Sequence, residues 1–144
     1  MIDLKEKDKK QTEKTVIPGK IFFKQGLPGL ESYREFTLQV IENNPFFYYL
    51  QSAGEEAIGL ILLDPFPCFP GYSLKLSTED KQELQADKKE DLLVLTTVTI
   101  TGERSMTTNL AAPIVINLRK GLARQIIIPE RLAERRTPIP LMQK

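Results

Sequence analysis

Few side chains in this chain of 144 residues are suited to chemistry, and their spacing limits what they can do. Carboxylates stand in adjacent pairs at Glu55-Glu56, Glu79-Asp80 and Glu90-Asp91. Acid–base catalysis needs two carboxyl groups drawn into one cleft with their pKa values split apart. Adjacent acids beside Gly54, or at a helix start, read instead as solvated loop and cap residues. Asp64 differs, because it closes an apolar run and precedes Pro65. Its carboxylate suits an Asx-type turn, with a binding role as the alternative. Histidine is absent, which removes the usual neutral-pH base and the commonest transition-metal ligand. Cys68, the single cysteine, sits between Pro67 and Phe69 with no imidazole to activate it, and reads as a structural thiol. Neither GxGxxG nor GxxxxGK[ST] occurs, so no phosphate cradle is visible. No catalytic residue, cofactor or metal is expected.

What remains is binding. Phe66, Phe69 and Tyr72 lie in a proline-rich stretch, "DPFPCFPGY" (64–72). They suit either an exposed anchor for a protein partner or a cover over one end of the fold. Nucleic acid is a poor candidate. The aromatics at 46–49 have few bases nearby, and the bases after residue 118 have no aromatics, whereas stacking platforms need both together. Asn109 opens "NLAAP" (109–113), a polar residue and a proline set unusually close to a β-branched run.

Charge is uneven along the chain. The net charge is +1, made of +3 over residues 1–30, −7 over 31–91 and +5 over 92–144. Either the acidic stretch faces a basic partner, or folding interleaves the segments and cancels the field. Glu55 and Glu56 are the candidates for the first case.

The elements that must position these residues are mostly strands. Alternation or apolar runs mark strands at 19–24, 36–41, 46–51, 57–63, 72–76, 92–100, 114–117 and 122–128. In the segment 92–100, Leu92, Val94, Val98 and Ile100 share one face. The last two strands flank Leu118-Arg119-Lys120-Gly121, a hairpin loop with glycine taking the left-handed dihedral. One helix is convincing: Ser77 caps it, Asp80 completes a capping box, and it runs to about Leu84. Pro129 starts a short helical turn through Arg136. The expected class is all-β or β-rich, a small closed or partly open antiparallel barrel with one short helix at 77–84. Pro113, which cannot donate sideways, belongs at the first position of a strand.

Residues 1–14 hold nine charged positions and are expected to be a flexible charged tail, leaving 15–144 as a single domain. The longest apolar run, Ile58 to Leu63, is too short to span a bilayer. With no apolar leader at the start and one cysteine, the expectation is a soluble, cytoplasmic protein without membrane contact.

Six stretches in order carry a resemblance that the spacing alone does not explain. "GLPGLE" (26–31), "PFFYYLQS" (45–52), "LLDPFPCFPGY" (62–72), "DLLVLTTVTI" (91–100), "TTNLAAPIVIN" (107–117) and "KGLARQIII" (120–128) together resemble the flagellar assembly factor FliW family. The chain departs from the family pattern at Leu30, where Phe is common, and in having no aromatic near Leu132. The resemblance implies a small β-barrel-like protein without catalytic activity. It further implies two protein partners: the RNA-binding translational repressor CsrA, which it antagonises, and flagellin, which competes for it. Under it, Asn109 and Pro113 mark the start of a strand. The rival expectations are a ligand-binding barrel or carboxylate hydrolase built on Asp64, and an RNA-binding barrel.

Overall fold

A computed structural model of the chain describes residues 2–5, 19–103 and 105–140. Seven short strands form a ring: β2 (Ile21–Phe23), β3 (Glu35–Val40), β4 (Phe47–Ser52), β5 (Gly59–Leu63), β7 (Leu92–Gly102), β9 (Ile114–Asn117) and β10 (Leu122–Gln125). Neighbours run β7-β5-β4-β3-β2-β10-β9, and β9 pairs back onto β7 to close the circle. Six of these ladders are antiparallel as expected, but β10 runs parallel to β2. Alternation fills the interior. Phe36 and Leu38 of β3 and Tyr48 and Leu50 of β4 are buried there with Phe23, Leu62, Leu93, Leu95, Ile114 and Ile116. Phe23 and Phe36 meet edge-on at 5.4 Å between ring centroids.

A second layer packs outside. It comprises β1 (Ile2–Lys5), α1 (Pro65–Cys68), β6 (Ser73–Leu76) and α2 (Thr78–Leu84). Its core joins Leu4, Phe66, Tyr72, Leu74, Leu76 and Leu84 to Leu92, Val94 and Val115 from the outward faces of β7 and β9. The double role of these strands explains why they are apolar on both phases. The face shared by Leu92, Val94, Val98 and Ile100 is therefore split: the first two are covered, Val98 is half-buried and Ile100 is exposed. The capping box is present as read, with Asp80 N–H donating to Ser77 Oγ and Ser77 N–H to Asp80 Oδ2, both at 3.0 Å. The 118–121 hairpin is also present. Gly121 adopts φ +70, and a Cβ there would lie 2.7 Å from the Lys20 carbonyl oxygen, so only glycine fits.

Several expectations need correction. The supposed tail pairs at Ile2–Lys5, antiparallel to β6, and Leu4 is fully buried. One well-placed leucine outweighs the charge around it, because the outer layer offers it an apolar slot. The rest of 1–14 lies outside the described residues apart from that strand. Within the proline-rich stretch, residues 65–68 form a single α-turn. Two short strands went unread, β8 (Ser105–Thr108) and β11 (Thr137–Pro138). Residues 129–134 form a 3-10 turn.

The strand expected at 122–128 stops at Gln125, and "NLAAP" supplies the reason. Both β8 and β9 run antiparallel to β7, β8 from Val98 onward and β9 up to Leu95. Between those registers, two residues of β7 (96 and 97) stand against five of the partner (109–113), so three extra residues bulge out. Backbone groups of the bulge find partners in several different elements. Asn109 N–H donates to Thr97 O at 3.1 Å, and Leu110 N–H to Glu134 O at 3.2 Å. Asn109 Oδ1 accepts from Ala111 N–H at 3.0 Å. The carbonyls of Ala111 and Pro113 accept from Ile128 and Ile126 at 2.7 and 2.8 Å. Ile126–Ile128 thus follow the bulge rather than a regular ladder. Ile126 and Ile128 face the outer core, while Ile127 between them is 58% exposed.

Candidate protein-docking site

The sequence singled out seven residues, and the fold divides them. Phe66 and Tyr72 are only 1% and 3% exposed, so of the two expectations for them burial fits the cover and not the exposed anchor. Their rings pack together with centroids 5.9 Å apart. The Tyr72 hydroxyl donates to Leu110 O at 2.8 Å, and the Arg131 guanidinium lies 4.8 Å over its ring. Phe69 is half-buried against the same core. Asp64 is buried and accepts from Phe66 N–H at 3.2 Å, capping α1, the turn role. Burial, with the Asp64 carboxylate second, pushes the Cys68 thiol up and the Tyr48 hydroxyl up to about 12. Neither is poised as a nucleophile at neutral pH. Among the described residues no group of three His, Cys, Asp or Glu could hold a metal. None of their helices is long and apolar enough to cross a membrane.

Glu55, Glu56 and Asn109 lie elsewhere, around one end of the barrel. β3 and β5 start at this end and β4 stops there, so the turn at 53–58 and the loop at 24–34 share it. The exposed acids there are Glu31, Glu35, Glu55 and Glu56. None of the four forms an ion pair among the described residues. Gly29 N–H donates to Glu31 Oε2 at 3.0 Å, and such backbone hydrogen bonds hold the Glu31 carboxyl below its ordinary range. The acids of α2 are treated differently. Arg124 lies 3.5 Å from Asp80, 3.6 Å from Glu79 and 3.8 Å from Glu83, and Lys24 lies 3.3 Å from Glu83. Folding therefore draws the acids of α2 onto Arg124 and Lys24, while the barrel mouth keeps four exposed acids with Arg34 beside Glu31.

Between these loops the mouth opens into a groove of about 630 Å³. Leu30, Ile58, Leu60, Val98 and Ile127 supply its apolar wall. Thr97 and Thr99 continue the inward row begun by Leu93 and Leu95, so polar groups reach its floor. A second groove adjoins it, sharing Thr97, Thr99 and Asn109 and adding Leu132, Ala133, Arg135 and Arg136. Asp64 lines neither, which removes the basis of a carboxylate-centred ligand site. No aromatic lines either groove, so no stacking platform exists there. The arrangement can hold a polypeptide through apolar contact and charge. Of its residues, Ile127, Leu132, Arg135 and Arg136 were not singled out from sequence. The Ile126-Ile127-Ile128 run was the available signal, since three consecutive isoleucines in a two-faced strand leave one facing outward.

Comparison with known proteins agrees with this architecture. The family model described as "FliW protein" matches residues 4–139. A flagellar assembly factor FliW from Clostridium tetani is 41% identical over 120 residues, covering 83% of each chain. One from Geobacillus kaustophilus is 38% identical over 107 residues, covering 74% of each. A crystal structure of the flagellar assembly factor FliW superposes with a TM-score of 0.75 at 32% identity, over 87% of this chain and 86% of the other.

Proposed function

The chain belongs to the FliW family of flagellar assembly factors, and on that premise we propose that it antagonises a CsrA-type translational repressor and is switched by flagellin. The family is one of regulatory assembly factors, not of enzymes. The observation that carries the finer reading is the cluster of exposed acids Glu31, Glu35, Glu55 and Glu56 at the barrel mouth, none of which forms an ion pair among the described residues. A repressor that binds RNA presents basic surface, and an acidic rim speeds encounter with it more than it tightens the complex. Flagellin, in this reading, takes the protein out of that complex in the cytoplasm, which couples flagellin synthesis to filament assembly.

The test is kinetic. The purified chain is expected to bind an immobilised CsrA-type dimer and, separately, flagellin, with flagellin lowering the apparent affinity for the dimer. Rising salt should slow association with the dimer before it alters dissociation, since exposed charges are screened within about 10 Å at 0.1 M. The double change Glu55→Lys and Glu56→Lys should slow association severalfold at unchanged melting temperature. Absence of binding to both proteins at micromolar concentration refutes the reading.

A further inference from the structure

The barrel is not sealed along its whole length. β5 and β7 are joined only at Leu62–Thr97 and Leu63–Thr96. Beyond that point no ladder pair and no other backbone hydrogen bond links residues 59–61 to 98–101. β5 uses its other edge on β4, and β7 uses its other edge on β8. Two strand edges thus face one open seam, each with backbone groups able to pair with an added chain.

The surroundings of the seam specify what that chain would be. Ile127 and Leu132, 58% and 48% exposed, put apolar surface on the walls of the two joined grooves. At the far end the polar lining residues are Thr97, Thr99, Asn109, Arg135 and Arg136, with no carboxylate among them. Arg135 Nε donates to Leu132 O at 3.0 Å, which restrains its side chain where it lines the groove. Arg136 is exposed and makes no ion pair among the described residues. An apolar wall and strand edges ending at two arginines complement an extended, apolar segment that carries carboxylates at one end. The lack of an aromatic in either groove argues against single-stranded nucleic acid as the occupant.

We infer that the joined mouth grooves dock an extended polypeptide segment of a partner, with its apolar side chains on Ile127 and Leu132 and its carboxylates on Arg135 and Arg136. This site is distinct from the acidic rim in charge and stands whether or not a CsrA-type dimer binds that rim.

A random dodecapeptide library selected on the immobilised full chain tests the inference without presupposing the partner. Enriched peptides are expected to combine alternating apolar residues with Asp or Glu, and to shift the amide resonances of Thr97, Thr99, Asn109 and Ile127. Arg135→Glu with Arg136→Glu should weaken them tenfold or more at unchanged melting temperature. Peptides with Lys in place of the acids should regain affinity for that double variant, which a merely structural effect would not produce. Ile127→Asp should weaken both peptide sets. The inference is overturned if nothing is enriched, or if the enriched peptides bind the double variant unchanged. It is also overturned if those amides respond to an oligoribonucleotide and not to peptide, or shift when residues 141–144 are removed, since the chain's own end would then be the occupant.

Discussion

Leu93 and Leu95 of β7 point into the barrel, while Leu92 and Val94, one residue away, point into the layer outside it. The two regions share strands yet are held by different means. The barrel interior is enclosed by a ring of hydrogen-bonded ladders. Among the described residues the outer layer has only one small ladder, β1 with β6, and it rests on apolar contact and a few polar pins. Asn117 is one such pin: its Nδ2 donates to Leu84 O at 2.8 Å and Gln85 O at 3.2 Å, tying the end of α2 to the barrel. Tyr72 and Arg124 are others. The difference implies that the layer opens at lower free energy than the barrel, because fewer cooperative bonds must break together.

The largest expected effect lies in the barrel. Phe36→Ala removes a fully buried ring packed on Phe23 and should cost about 3–5 kcal/mol. Denaturant unfolding measures the loss, and hydrogen exchange should show faster exchange in every ring strand. Leu4→Ala should cost less, about 2 kcal/mol, since β1 stands at the outer layer's margin. Its exchange signature should be confined to β6 and α2. Equal costs, with equal loosening of β3 and β4, would mean that the two regions unfold as one unit and would break the comparison.

The smallest effect compares one buried tyrosine from each region. Burial is the main cause pushing the Tyr48 hydroxyl up to about 12, and it pushes Tyr72 higher still. Each group is neutral in the folded protein where the unfolded chain has already ionised. Their contributions are complete below pH 10, the ordinary tyrosine value, and decline as pH rises through 10 towards 12 and beyond. Tyr48→Phe should flatten part of this alkaline loss in pH-dependent unfolding, and Tyr72→Phe another part. An unchanged alkaline arm in both variants would show that neither hydroxyl is as desolvated as its packing implies.

Much of this was open to local chemistry. The capping box at Ser77 and Asp80, the hairpin turn at Gly121 and the alternation of β3 and β4 depend on neighbours within a few residues, so the linear order of residue types determined them. The β-rich class followed from the same periodicity, and family membership from six blocks in order. The two-sided burial of β7 was visible as an apolar run, although not what would lie on each side. Tertiary structure alone decided the rest. Leu4 became core because a slot beside Leu74 exists only once β6 has packed on β7 and β9. Phe66 and Tyr72 became interior because the outer layer packs both rings into one core with Leu110, whose carbonyl takes the Tyr72 hydroxyl. Among the described residues Glu55 and Glu56 form no ion pair while Glu79, Asp80 and Glu83 meet Arg124, which lies far along the chain and which no local pattern places beside them. The mouth groove itself joins residues from 27–30, 57–60, 97–99, 109 and 127. Such a surface has no period and no motif, because it is made by strands splaying apart at a seam, and only the closed ring determines where that seam falls.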